Sequence, residues 1–409
     1  MDRFFEVQSL EKVLGYAGDF PVKETESVSL DRAAFRVLAE DIVSAENVPG
    51  FRRATMDGYA VFSGSTFGAS ESSPAWFEIK GSIRMGEIPD FDLVPGTAAE
   101  ISTGGMLPQG ADSVVMVEHT ELIDDTSVEV YKSVAPLQNV IDANEDFSRG
   151  ESVIGKGTVI RPQEAGLLAA LGYANVSVYR RCKVGIISTG DEIVPVEQKS
   201  EPGQIRDMNS YTLAGLVAKT GNLPILYGIV QDSHDDLYNA CRKALEETDM
   251  VLISGGSSVG TRDFTIQAFE SLENTEILVH GISISPGKPT ILAGSGEKPL
   301  WGLPGQVTSA MVVFQIVVAP FLNRISGHGT YVQNGLKIRA RLNRNVSSVH
   351  GRREFVRVKL TTEADGVTAE PVLGKSGLIR TMVRADGLLG IGENEEGLKK
   401  GTLVDIIPI

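Results

Sequence analysis

The chain has 409 residues, 42% hydrophobic and 22% charged, which makes it too apolar for a disordered polypeptide and too long for one hydrophobic core; two to four globular domains are expected. A formal charge of -15 excludes the basic stripes that grip a nucleic-acid backbone, and two cysteines, Cys182 and Cys241, exclude a disulfide framework or a cysteine zinc site. An acidic chain that takes an anionic ligand needs local cations, helix N-termini or a bridging metal at its site.

The N-terminal stretch MDRFFEVQSLEKVL carries an acid at position 2 and has no continuous apolar core of the signal-peptide kind. No later stretch is expected to reach the ~20 apolar residues of a membrane span, so the expectation is a cytoplasmic protein without membrane or nucleic-acid partners. Residues 5 to 45 read as helical: Leu10, Val13 and Leu14 share a face, and LDRAAFRVLAEDIV spaces its apolar residues by three and four, with Ser29 or Asp31 placed to cap. From Phe62 to about Asn139 the pattern changes to short β-like runs (WFEIKGSI, AAEIST, SVVMVEHTELI, SVEVYKSV) separated by Gly, Pro and Asp. QEAGLLAALGY then predicts a short helix followed by VSVYRRCKVGIIST, a return to the environment of the N-terminal helices that makes the β-rich part an insertion.

The middle third alternates strand and helix: KVGIIST, NSYTLAGLVAKTG, LPILYGIV, SHDDLYNACRKALEET with a Ser cap, and MVLIS. Such alternation implies a parallel sheet with helices on both faces, whose ligands bind beyond the carboxyl ends of the strands. The last eighty residues alternate at period two (LKIRARLNRN, REFVRVKLTTE, GVTAEPVL, TLVDIIPI), which predicts a small β-barrel or sandwich. The expected fold class is therefore multidomain α/β plus β. Residues 1–45 with 146–179 would form a discontinuous helical, elongated domain, 46–145 the β-rich insertion, 180–329 the α/β domain and 330–409 a C-terminal β-barrel.

Three successive strands end in acids: Asp191 and Glu192 after KVGIIST, Asp232 after LPILYGIV, and Asp263 beyond MVLIS. A single acid in such a place is more often a cap or a solvated turn. Three on one sheet edge suit a divalent cation with oxygen ligands that bridges to phosphate. The loop Gly255, Gly256, Ser257, Ser258, Val259, Gly260 follows a buried strand; it could cradle an anion through backbone N–H groups, or could equally be a tight structural turn. It is neither a P-loop nor a dinucleotide fingerprint. Lys288 in SPGKP would face the same anion, although a lone lysine is usually solvated surface. Asp57 in MDGY, Thr103 in ISTGG and Asp146 in NEDF sit in turn signals that spacing alone does not promote to chemistry. None of the five histidines forms a ligand pair at helical spacing, and no GxSxG elbow is present.

Taken in order, MDGYAV, ISTGGMLPQGADSVV, NEDFSRGE, STGDEIV, QIRDMN, SGGSSVGTRDF, PGKP, GLPGQ and GRREFVRV resemble the molybdopterin molybdenumtransferases, called MoeA in bacteria and similar to the E domain of gephyrin, over roughly residues 5 to 409. The resemblance implies a MogA-like α/β domain and an elongated homodimer, with a cleft between the α/β domain of one subunit and the inserted domain of the other. It implies insertion of molybdate into adenylylated molybdopterin with release of AMP, in a Mg²⁺-dependent reaction, with molybdopterin adenylyltransferase or molybdoenzymes as further partners. Carried over residue by residue, it implies catalytic roles for Asp57, Thr103, Asp146 and Glu192. Contacts to the pterin substrate would come from Gly255, Gly256, Ser257, Ser258, Gly260, Lys288, Pro304 and Ser376, and contacts to metal from Asp232 and Asp263.

The chain departs from the family pattern at five places. Gln306 and Val307 stand for the Asn and Pro of GLPGNPVS, Ser285 for the first Lys of KPGKP, and Ile141 and Asn144 for an Arg and a Gly before GED. These changes remove at least two cations from an oxyanion and phosphate site. A non-catalytic cofactor carrier or scaffold, or a tungstate-specific paralogue, is the competing expectation.

Overall fold

The computed structural model describes residues 7–255, 261–329, 335–364 and 366–409, with the side chains of 261–263 outside that description. The chain forms two compact units, one of Met1–Glu40, Lys156–Arg161 and Asn175–Ile409, the other of Asp41–Gly155 and Pro162–Ala174.

The second unit is built on a six-stranded sheet, in edge-to-edge order Ser113–Met116, Gly58–Val61, Thr97–Ile101, Ala75–Ile83, Ser127–Val130 and Thr120–Asp124. Gly58–Val61 is buried throughout and runs antiparallel to both neighbours. Both faces of the sheet are covered, Ala60, Ile83 and Val114 packing in one cluster and Val61, Phe77 and Val128 in another, so Gly58–Val61 is buried on both sides, whereas Ala75–Ile83 keeps an alternating pattern. SVVMVEHTELI, a single run in sequence, is broken by a 3₁₀ turn at Val117–His119 into two strands. The helix predicted at QEAGLLAALGY forms as Pro162–Ala170.

In the first unit, the expected helix at LDRAAFRVLAEDIV is replaced by a 3₁₀ turn at Leu30–Arg32 and extended chain. Apolar residues at helical spacing there serve a different pairing. The N–H groups of Phe35 and Leu38 donate to the carbonyls of Ile160 and Thr158, and Ala39 donates to Ser177. Phe35 has a φ of 61°, which no α-helix contains. These cross-strand bonds outweigh a weak helical preference. Among the described N-terminal residues the α-helix that forms is the capped turn Leu10–Gly15, with Ser9 accepting from the Lys12 N–H at 3.2 Å.

The central sheet runs Leu223–Val230, Lys183–Thr189, Met250–Gly255, Lys298–Leu303, Ile291–Ser295 and Thr275–His280. The first four strands are parallel and the last two antiparallel additions. Helices Asn209–Lys219 and His234–Glu247 form as predicted, the second capped by Ser233. The run Val307–Ile325 is 19 helical residues, long and apolar enough to cross a membrane, contrary to the expectation that no stretch would be. Val312, Val317 and Phe321 are nevertheless fully buried against Trp301, Leu252 and Leu388 in the core of this unit. The C-terminal strands Ile338–Leu342, Arg353–Glu363, Gly366–Pro371, Gly387–Ile391 and Leu403–Pro408 close into a barrel, because Arg353–Glu363 pairs with both Gly366–Pro371 and Gly387–Ile391.

Candidate functional site

The parallel strands Lys183–Thr189, Leu223–Val230 and Met250–Gly255 end side by side, and beyond their carboxyl ends lies a cleft of about 300 Å³. Thr189, Glu192, Asp207, Asn209, Asp232 and Ser254 contribute its polar wall. Arg206, Gly255, Gly305, Gln306, Val307 and Gly377 are also among its lining residues. Gly255 has φ +143°, and a Cβ there would lie 1.8 Å from the carbonyl oxygen of Thr189, so only glycine lets these two strand ends close.

The carboxylate of Asp232 is oriented by the buried Thr189, whose hydroxyl donates to Asp232 Oδ1 at 2.5 Å; Asp191 Oδ1 accepts the Asp232 N–H at 3.2 Å. Partial burial raises the Asp232 pKa above the ordinary carboxylate value, the Thr189 hydrogen bond opposes this, and the charges of Asp191 and Glu192 raise it further. Among the described residues no basic side chain forms an ion pair with Asp191, Glu192 or Asp232. Arg206 also lines the cleft, its Nε donating to the Gln198 carbonyl at 2.9 Å.

Two lining residues, Asp207 and Asn209, were not singled out by reasoning from sequence, although QIRDMN was recognised as a motif. Asp207 Oδ1 accepts from the Ser188 hydroxyl at 2.9 Å and from the Ser210 N–H at 3.1 Å, pinning the first turn of Asn209–Lys219 under the cleft. Asn209 Nδ2 donates to Ser254 Oγ at 2.6 Å and to the Gly305 carbonyl at 2.8 Å, while its own Oδ1 is buried without a partner. The strand ends are thereby tied to the GLPGQ turn.

Arg357 was likewise missed. It is 8% exposed, and its guanidinium donates to the Gly374 carbonyl at 2.8 Å and to Thr308 Oγ1 at 3.3 Å, with Nε unpartnered. Burial lowers its pKa below the usual arginine value. Gln306 makes no side-chain cap for the helix that follows, but the Ser376 carbonyl accepts from both the N–H and the hydroxyl of Thr308, at 3.1 and 2.6 Å. The GKSGL loop supplies the cap that Gln306 does not.

The cleft thus gathers Glu192, Asp232 and Gly255, with Pro304 buried one residue before its Gly305 wall and Ser376 beside its Gly377 wall. Lys288 is exposed on its turn and does not line this cleft. Gly256, Ser257, Ser258 and Gly260 lie outside the described residues; Asp263 falls in helix Thr261–Ser271, its side chain outside the description. In the other unit, Asp57 Oδ1 accepts the Thr103 N–H at 2.6 Å, and this bond, with a second from the Thr103 side chain, lowers the Asp57 pKa. Asp146 is exposed in a separate turn, its N–H donating to the Val48 carbonyl at 3.0 Å. Among the described residues, no three His, Cys, Asp or Glu side chains converge as a complete metal ligand set.

Three family descriptions cover the chain: the MoeA N-terminal region (domains I and II) at residues 6–172, a probable molybdopterin binding domain at 185–324, and the MoeA C-terminal region (domain IV) at 339–409. A putative molybdopterin biosynthesis protein of Methanocaldococcus jannaschii is 36% identical over 392 residues, 94% of this chain and 92% of that one. The molybdopterin molybdenumtransferase of Bacillus subtilis is 31% identical over 390 residues, 94% of this chain and 90% of its own. The crystal structure of the molybdopterin biosynthesis moeA protein from Pyrococcus horikoshii OT3 superposes with a TM-score of 0.84 at 33% identity, covering 99% of this chain and 100% of that one. With its full length accounted for in this way, the chain belongs to the MoeA family of molybdopterin molybdenumtransferases.

Proposed function

We propose that this chain is a molybdopterin molybdenumtransferase of molybdenum cofactor biosynthesis, which takes adenylylated molybdopterin and molybdate and releases AMP. The observation that carries this reading is that Glu192 and Asp232, with Asp191 adjoining Asp232, gather at one cleft beside the strand end at Gly255 and form no ion pair with a described basic residue. An acid raised in pKa by burial and by like charges is poised to gain from a cation brought with the ligand.

Mg²⁺ fits this donor set. It binds through one or two carboxylates and completes its shell with substrate phosphate oxygens and water, so a full protein ligand set is not required. Asp232, with Asp263, would hold it, and when bound it would offset the charge that an acidic chain and an anionic substrate bring together. Thr189 keeps Asp232 in one rotamer, and Asn209 fixes the Ser254 and Gly305 walls against which the pyrophosphate would lie. Arg357 joins the Gly374 carbonyl to Thr308, the residue next to the Val307 wall of the cleft. In the other unit, Thr103 presents Asp57 as an ionised acceptor suited to orienting water or molybdate.

A homodimer in the cytoplasm, whose partner subunit supplies Asp57, Thr103 and Asp146 to this cleft, completes the proposal. The test is to mix purified protein with adenylylated molybdopterin and molybdate, with Mg²⁺ or with EDTA, and to follow AMP. Metal-dependent release is expected. Tight binding of the pterin with no release in either condition would replace the transferase by a carrier.

A further inference from the structure

A cavity larger than the candidate site lies elsewhere beside the α/β sheet. It holds about 780 Å³ and opens at the other end of helix Asn209–Lys219: Asn209 lines the carboxylate cleft, whereas Ala218, Lys219 and Thr220 line this pocket. An α-helix of this length separates the two by ~16 Å.

The pocket has an apolar body, with Leu216, Phe314 and Ile407 in its walls and Phe35 among its lining residues. Phe35 is 63% exposed and sits at φ 61°, a left-handed conformation that is costly for a bulky residue and is held here by the bond of its N–H to Ile160. An exposed aromatic ring held beside a cavity is a surface for an apolar ligand to lie against.

The charge of the lining runs against that of the chain. With 53 acids against 38 bases overall, the pocket carries Arg181 and Lys219 and, among the described residues, no Asp or Glu. Neither Arg181 nor Lys219 forms an ion pair with a described residue. Three lining residues also keep a buried polar atom without a hydrogen-bond partner: Arg181 Nε, Gln315 Oε1 and His328 Nδ1. Unpaired cations and unsatisfied polar atoms around an apolar cavity make up the few convergent polar groups that fix a small ligand.

We propose that this pocket is a second binding site, distinct from the carboxylate cleft, for a small anionic molecule with an aromatic or otherwise apolar body. The anion pairs with Arg181 and Lys219, and the apolar part packs between Phe35, Leu216 and Phe314. Charge complementarity selects this occupant over a neutral hydrocarbon, which would leave both cations unpaired, and over an acidic-faced divalent metal site, which the lining cannot form.

The experiment titrates the full-length protein with anilinonaphthalene sulfonate, an anionic aromatic probe, and follows its fluorescence. One saturable site per chain is expected, weakened about tenfold by Lys219→Ala or Arg181→Ala, retained by Lys219→Arg, and weakened by salt. Circular dichroism melts establish that each variant is folded. Unchanged affinity in both alanine variants, or no saturable binding to the native protein, overturns the proposal. Competition by AMP and pyrophosphate overturns its distinctness from the cleft. Binding that disappears as sedimentation shows the chain dimerising assigns the pocket to a second copy of the chain instead.

Discussion

The hydroxyl of Thr189 donates to Asp232 Oδ1 at 2.5 Å across the ends of two parallel strands. Thr189 is 1% exposed and fixed by its strand, so the position of the carboxylate is set by the sheet rather than by a loop. Thr189→Val keeps the shape of the side chain and removes the donor. AMP release is expected to fall about tenfold, and Asp232→Asn should lower it by ~100-fold or more, with both proteins melting cooperatively. Full turnover in Asp232→Asn would remove this acid from the site.

Asp232 also gives the stability a pH signature. Burial, with Asp191 and Glu192 adding and Thr189 opposing, raises its folded pKa above the unfolded value. The stabilising contribution of such a group is fully present below the unfolded value, about 3.9, and is lost as pH rises through the raised folded value. In EDTA at neutral pH, Asp232→Asn should therefore melt no lower than the native protein, with the advantage gone near pH 3.5. Adding Mg²⁺ should raise the native melting temperature and leave the variant unmoved. A variant that melts lower at neutral pH, or that responds equally to Mg²⁺, contradicts the argument.

At the opposite edge of the same sheet, Arg180 grips Asp249 through both terminal nitrogens, at 2.8 and 2.9 Å, and reaches Glu24 through Nε at 3.0 Å. Burial pushes the Asp249 carboxyl up, but Arg180, the Lys183 N–H and Lys23 together leave its pKa lowered. Arg180→Ala leaves a carboxylate that is 8% exposed without its principal partner, at an expected cost of about 3 kcal/mol in urea unfolding. Because a lowered pKa confers stability above the unfolded value and loses it as pH falls through the folded one, the gap between native and variant should narrow in acid. A constant gap from pH 7 to pH 3 would show that the pair is not its source.

Gly255→Ala places a methyl carbon 1.8 Å from the Thr189 carbonyl at φ +143°. A clash with backbone has no cheap relief. We expect a loss of about 2–3 kcal/mol by denaturant titration together with a sharp drop in AMP release, since the strand ends that shape the cleft must part. Native stability in this variant would mean that the two strands can separate freely.

Arg357→Ala is expected to lower AMP release with a modest loss of stability, because the guanidinium joins the Gly374 carbonyl to Thr308 Oγ1. Arg357→Lys should not restore it, since one ammonium cannot span both acceptors. If lysine restores full turnover, charge alone suffices and the bridging geometry is irrelevant.

Much of the cleft was legible in sequence. Apolar runs of strand length, each followed by an acid, predicted which carboxylates share a sheet edge, and the structure lines one cleft with Glu192 and Asp232. The reading failed where periodicity served another pairing. LDRAAFRVLAEDIV has helical spacing, yet its backbone donors are satisfied by residues 158–160 and 177, more than a hundred positions away. Val307–Ile325 misleads in the other direction, since nothing local distinguishes an apolar core helix from a spanning one.

What the sequence determined by itself was local: strand and helix periods, the acids at strand ends, the turn glycines and the order of the motifs, all properties of neighbouring residues. Tertiary structure alone decided that Arg357 on a barrel strand, Gly374 and Ser376 on the loop after strand Gly366–Pro371, and Thr308 on a core helix meet beside the cleft. Period two told that REFVRVKLTTE was a strand, but not what its buried arginine would face. That depends on barrel closure and on the packing of the helix against the sheet, and long-range burial of this kind leaves no periodic trace in the residues it brings together.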